Sequence, residues 1–176
     1  EMWLASIRQE LLTSKDEATA LRVGMAEVDI TPPVGFPMAG YYHERLAEGT
    51  IDSLKAKAIV FREGDTAGAL VVCDLIGIAT DLSREVRRRA SEKTGIPASN
   101  IAIAATHSHT APDYMKELWL YLGKEEQEPL RAEYIEKLIN SPVDAIARAH
   151  DNAGDFMLST GAALQTTPVA FNRRFV

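Results

Sequence analysis

Two of the four histidines in this 176-residue chain, His107 and His109, stand two positions apart where an apolar run ends. Ile101-Ala102-Ile103-Ala104-Ala105 is small and apolar, Thr106, Ser108 and Thr110 place hydroxyls around the imidazoles, and Ala111-Pro112 closes the stretch. The run reads as a buried strand. In open α/β sheets, ligands collect where the strands end at their carboxyl side. Imidazole is also the side chain best suited to bind zinc or exchange protons near neutral pH. Along a strand, residues i and i+2 point to one side, so both rings reach one cleft if the backbone stays extended through His109. One ring can then be a metal ligand. The other can be a second ligand, a general acid/base or a donor to a developing oxyanion. The plainer reading is that both only satisfy hydrogen bonds at a strand end.

Several other residues carry weighed roles. Asp74 ends an apolar strand and reads either as a carboxylate orienting a metal-bound histidine or as a cap on the following turn. Asp113 is close enough to the histidines to be an acid or ligand, but a helix N-cap is its plainer role. Arg173, within Asn172-Arg173-Arg174, offers a planar fork for a carboxylate or polarised carbonyl, against simple surface charge. His43 reads as a solvated loop histidine and His150 as a structural cation near a helix C-terminus. Arg84, Arg87, Arg88 and Arg89, interleaved with Glu85 and Glu92, read as a solvated helix face. Cys73, the single cysteine, lies in an apolar strand and reads as an inert core thiol.

These residues need a scaffold. Residues 1–18 carry Trp3, Leu4, Ile7, Leu11 and Leu12 at helical spacing and predict a helical extension. Leu21 to Ile30 predicts a strand, stopped by Thr31-Pro32-Pro33-Val34-Gly35. A long loop rich in Gly, Pro, Met and Tyr runs to Glu48, and loops of that length in a compact domain are often functional. Ala56 to Glu63 and Ala67 to Asp74 predict a hairpin around Gly64-Asp65, its second strand apolar enough to be central. Asp81 to Thr94 predicts a helix capped by Asp81 or Thr80, with Leu82, Val86 and Ala90 on one face and Gly95 at its end. With the histidine strand this makes a βαβ crossover. Asp113 to Leu122 predicts a short helix. Leu130 to Asp151 predicts a long amphipathic helix kinked or divided at Pro142, with Ser141 as a cap. Phe156 to Leu164 predicts a last strand. The fold class is α/β, a mixed β-sheet flanked by helices, in a single domain over residues 1–176.

Composition bounds the function. The net charge of −6, without a basic block, argues against nucleic acid as the main partner. No apolar stretch reaches the ~18 residues of a transmembrane helix. Neither GxGxxG nor GxxxxGK[ST] occurs, which argues against a nucleotide-cofactor domain. The start lacks a signal peptide, and a secreted or periplasmic location stays open if one was removed. Oligomeric state is unassigned.

The stretch ATHSHTAP (Ala105 to Pro112) resembles the THTHSGP-type motif of the neutral/alkaline non-lysosomal ceramidase family, in its N-terminal catalytic domain. AEVDITPPVGFPMAGY (Ala26 to Tyr41) is similar to the family's opening segment, GALVVCDLIGIATDL (Gly68 to Leu82) to its strand-to-helix segment, and FNRRF (Phe171 to Phe175) to a later Asn-Arg segment. Order and spacing agree from about Leu21 to the C-terminus. One departure is clear: where many members carry His-Asp-Pro-Leu, this chain has Ile51-Asp52-Ser53-Leu54.

The resemblance implies a Zn2+-dependent hydrolase of a lipid amide, N-acylsphingosine plus water giving sphingosine and fatty acid. It implies His107 as a zinc ligand, His109 as the catalytic or oxyanion partner, Arg173 lining the site, and the loop around Gly40 and Tyr41 close to substrate. The family's other zinc ligands fall beyond the matched segment. The chain is therefore expected to be the first part of a longer catalytic domain with two sheets, and to bind zinc weakly and be inactive by itself. Two alternatives stand beside this: a metal-dependent hydrolase of another substrate, and a non-catalytic scaffold that kept the fold.

Overall fold

A computed structural model describes residues 20–115, 123, 125–157, 159 and 161–167. The predicted helix over 1–18, most of the one predicted over Asp113 to Leu122, and Arg173 lie outside these residues. Residues 113–115 are not helical.

The strands are β1 (Arg22–Asp29), β2 (Lys55–Glu63), β3 (Thr66–Cys73), β4 (Ile101–Ala105) and β5 (Gly154–Asp155), and the helices are α1 (Thr80–Thr94) and α2 (Glu128–Asp151). They build a five-stranded mixed sheet in the order β4-β3-β2-β1-β5. β3 pairs parallel with β4 across α1, and the other pairings are antiparallel. The β2–β3 hairpin turns at Gly64-Asp65, with Glu63 opposite Thr66.

Alternation in the strands sorts residues to two faces. Ala56, Ala58 and Val60 of β2 and Ala69, Val71 and Cys73 of β3 are buried under the helices. Gly24 lets α2 approach β1, since a Cβ there would fall 1.8 Å from the Ala149 carbonyl oxygen. The opposite face is open among the described residues: Met25 is 60% and Leu70 39% exposed. This changes the reading of the histidine strand. Among the described residues β4 is the edge of the sheet; Ile101 is buried, whereas Ala102 and Ala104 are exposed. An apolar run predicts two covered faces, but alanine is small enough to tolerate water on one of them.

α2 differs from its prediction too. It is continuous through Pro142, and the Ser141 hydroxyl donates to the Asp29 carbonyl instead of capping a second helix. Proline inside a helix costs about 3 kcal/mol. Leu138, Ile139, Val143 and Ile146, all buried in the core, offset that cost. α1 begins after Ala79, which makes no side-chain cap; Asp81, inside the first turn, instead takes up the Leu82 N–H at 2.8 Å. Its end follows expectation: Gly95, at φ 76°, donates its N–H to the Ser91 carbonyl. The last strand is only Gly154–Asp155, paired with β1. Phe156 and Met157 lie beyond it, exposed, and among the described residues no partner strand extends the ladder there.

The arginine run of α1 is a charged face as expected. Arg88 pairs with Glu85 and Glu92, and Arg89 with Glu85 and, across to α2, Glu136. Among the described residues no helix is long and apolar enough to cross a membrane.

α2 also fixes the loop that leaves β1. The Tyr134 ring packs on Phe36 at 4.7 Å, and its hydroxyl donates to the Ile30 carbonyl. Lys137 reaches the Asp29 carboxylate (3.2 Å) and the Thr31 carbonyl (2.7 Å). Burial raises the Asp29 pKa, but bonds from the Thr31 N–H, Lys137 and the Thr31 hydroxyl outweigh it and hold the carboxyl below its ordinary 3.8. A depressed folded value adds stability above the unfolded pKa, and that stability is lost as pH falls through the folded value. Asp29→Asn should therefore lower the urea midpoint at pH 7, and the gap to the parent should close as the pH drops below 3.8. A gap as wide at about pH 2.5, where the carboxyl of the unfolded chain is already protonated, as at pH 7 would remove the charge from the explanation.

Cys73 is 2% exposed. Burial, and then the charge of Asp74, push its thiol up to about 12. The thiolate is the reactive form. The folded chain should therefore resist a thiol reagent at about pH 8 and react fully once unfolded; fast labelling of the native protein would contradict this.

Candidate active site

Beyond β3 and β4 the two chain segments stay together. Thr106 N–H donates to the Cys73 carbonyl (3.0 Å) and Ser108 N–H to the Leu75 carbonyl (3.1 Å). The extended backbone ends before the second histidine, however. His107 has φ 61°, the one non-glycine residue in the left-handed region among those described. Such conformations are uncommon for residues with a Cβ and concentrate at functional sites. The rings nevertheless meet, with centroids 5.1 Å apart and planes at 76°. A turn, not strand alternation, brings them together.

Each ring is held by a backbone carbonyl. His107 Nδ1 lies 2.8 Å from the Ile76 oxygen and His109 Nδ1 lies 3.0 Å from the Gly40 oxygen. A carbonyl oxygen can only accept, so both Nδ1 atoms carry the hydrogen. In the neutral rings both Nε2 atoms therefore present lone pairs, the form that ligates a metal or takes a proton. Both residues are solvent-exposed among the described residues.

The acceptors are supplied by two supports. Ile76 lies in the loop after β3, where the buried Tyr114 hydroxyl donates to the Gly77 carbonyl and accepts from the Ala79 N–H, both at 3.0 Å. Gly40 sits at the tip of a small hairpin. There Gly35 N–H donates to the Ala47 carbonyl, Ala47 N–H to that of Phe36 and Met38 N–H to that of Arg45. The hairpin is laced to the histidine turn by Ala39 N–H to the Ala111 carbonyl and Asp113 N–H to the Pro37 carbonyl, each 2.9 Å. Gly40 has φ 89°, and a Cβ on it would lie 2.4 Å from His109 Nδ1.

The remaining candidates separate. Tyr41 stands beside His109, with ring centroids 6.3 Å apart, and also contacts the exposed His43. The Asp74 carboxylate accepts the Lys55 N–H (3.0 Å), completing the ladder between β2 and β3, and forms one wall of a cavity of about 940 Å³. Asp113 Oδ1 accepts the Met115 N–H in a turn. The cavity wall also includes Thr110, Arg45 and Ile51, so it adjoins the histidine turn. Arg45 and Tyr114 support the histidines, yet sequence reasoning passed over both. Arg45 lies in a charged loop and Tyr114 follows a turn, and neither local pattern marks a support.

Neutral imidazole Nε2 atoms are good zinc donors, and both rings present one. Among the described residues, no group of three or more His, Cys, Asp or Glu side chains could hold a metal ion. A catalytic zinc takes about three protein ligands, so these histidines fit as part of a ligand set.

The model of the family described as neutral/alkaline non-lysosomal ceramidase, N-terminal, matches residues 21–173. Two solved structures are similar. One is the crystal structure of neutral ceramidase from Pseudomonas aeruginosa, 25% identical with a TM-score of 0.66, covering 80% of this chain and 23% of that one. The other is described as ceramidase complexed with C2, 26% identical with a TM-score of 0.56, covering 77% of this chain and 21% of that one. The chain thus spans under a quarter of the length of either. No curated protein matches it.

Proposed function

The chain belongs to the neutral/alkaline non-lysosomal ceramidase family, matching the model of its N-terminal region, and from that premise we propose that it forms the first part of a zinc-dependent hydrolase of a lipid amide, N-acylsphingosine being the expected substrate. The observation that carries this reading is the shared state of two adjoining imidazoles. Each is anchored through Nδ1–H to a carbonyl and presents Nε2.

His107 is assigned as a zinc ligand, with the other ligands supplied outside the described residues. Bound zinc would polarise the scissile carbonyl and lower the pKa of water. His109 is assigned to proton transfer. With Nδ1–H committed to Gly40, the neutral ring accepts at Nε2 a proton from the water that attacks the carbonyl carbon. The resulting imidazolium can then donate from Nε2 to the oxyanion or to the departing amine as the C–N bond breaks. Neutral His109 cannot donate from Nε2, so acceptance must come first. Gly40 and Tyr41 place and flank that ring, and Arg173 is assigned to the substrate side.

A second reading, the non-catalytic scaffold, draws on Ile51. It stands fully exposed at the cavity edge where family members often carry histidine. Zinc content and amide turnover of the polypeptide carrying the complete domain separate the readings. Bound zinc with N-acylsphingosine cleavage supports the proposal. Zinc with cleavage of other amides only would move it to another substrate, and absence of both would leave the scaffold.

A further inference from the structure

We propose that Arg45 is a positioning residue for His109, holding its imidazole in the Nδ1–H form by gripping the backbone of the turn that carries it. The inference rests on the proton-transfer reading of His109 for its consequence, but not for its test. Arg45 contacts His109 itself and the residues that flank its acceptor Gly40. Its carbonyl accepts the Met38 N–H at 2.8 Å, two residues before the acceptor Gly40. Its guanidinium donates from Nη2 to the carbonyl oxygen of His109. Donor and acceptor are thereby referenced to one residue. The backbone link survives any substitution at 45 that keeps the hairpin; the guanidinium is the part a mutation removes.

Tyr41 completes the arrangement. It follows Gly40 directly, and the Arg45 guanidinium carbon lies 4.0 Å from its ring centroid. A planar cation stacks well on an aromatic face, which sets the fork in one orientation. The fold keeps this pose although Arg45 Nε is buried without a hydrogen-bond partner among the described residues. Buried donors are rarely left unsatisfied, and such exceptions ask for a reason. Here the reason is that the pose serving Nη2 and the stack leaves Nε unserved. If the grip is lost, the turn can shift, the Nδ1–H to Gly40 bond lengthens, and His109 is free to exchange tautomers.

Nitrogen-15 NMR of the imidazoles, at a pH where they are neutral, reads the tautomer of each ring without turnover. The parent chain should show Nδ1–H at both His107 and His109. In Arg45→Met, His109 should become a mixture of tautomers while His107 stays unchanged, because His107 hangs on Ile76. Arg45→Lys, which keeps a cationic donor, should recover most of the parent signal. Tyr41→Leu, which leaves Arg45 in place and removes its stack, should shift His109 part way; it carries the test if Arg45→Met fails to fold. A His109 signal unaltered in the methionine and leucine variants would overturn the proposal. So would equal changes at both histidines, which would mean general loosening. Because no substrate is used, failure of the hydrolase reading is a separate result.

Discussion

Gly40→Ala should cost the complete-domain enzyme about 10²-fold in turnover, the order expected when a reacting group is misplaced by about 1 Å. The added Cβ would lie 2.4 Å from His109 Nδ1 and 2.6 Å from its Cγ. Contact at van der Waals distance requires about another 1 Å, so the ring must leave its place or the hairpin tip must retreat. Either movement breaks the bond that sets the tautomer. The left-handed backbone adds a strain of roughly 1–2 kcal/mol for a residue with a Cβ. Gly35 isolates the two effects: it has φ 85°, but a Cβ added there would meet nothing within 4 Å. Gly35→Ala should lose similar stability and keep its activity. Equal activity losses in the two variants would mean that the contact with His109 is irrelevant and only backbone strain matters.

His107→Ala and His109→Ala should fail in different ways. Removing His107 takes away a metal ligand. Zinc affinity should fall by more than the roughly 10–100-fold that loss of a residue supporting a ligand usually costs, and turnover should vanish with the metal. Removing His109 should leave zinc bound and slow turnover by about 10²–10⁴-fold, the usual worth of general acid/base catalysis. Metal analysis and N-acylsphingosine cleavage in the complete-domain polypeptide provide both readouts. The assignment is reversed if His109→Ala is the variant that loses zinc. It is wrong if His107→Ala keeps metal and rate.

The pair of histidines was legible because its signal is local: an apolar run, then two imidazoles among hydroxyls. The same holds for β1, the β2–β3 hairpin, α1 and the span of α2. Patterns of strand and helix period, prolines and glycines act over a few residues and survive in the bare sequence. The proline in α2 shows the limit. Pro142 locally favours a break, and only burial of the residues around it reveals that packing prevails.

By itself the sequence determined which side chains could do chemistry, the order of strands and helices, and the family to which the opening and histidine motifs are similar. Tertiary structure alone decided that β4 is an edge among the described residues, that a left-handed residue turns His107 toward His109, and that Ile76 and Gly40 supply the acceptors. Those acceptors lie 31 and 69 positions away from the imidazoles they hold. No local pattern encodes a carbonyl that distant, because every residue has one. Its partner is chosen only when the sheet, the loop after β3 and the hairpin tip have been brought together.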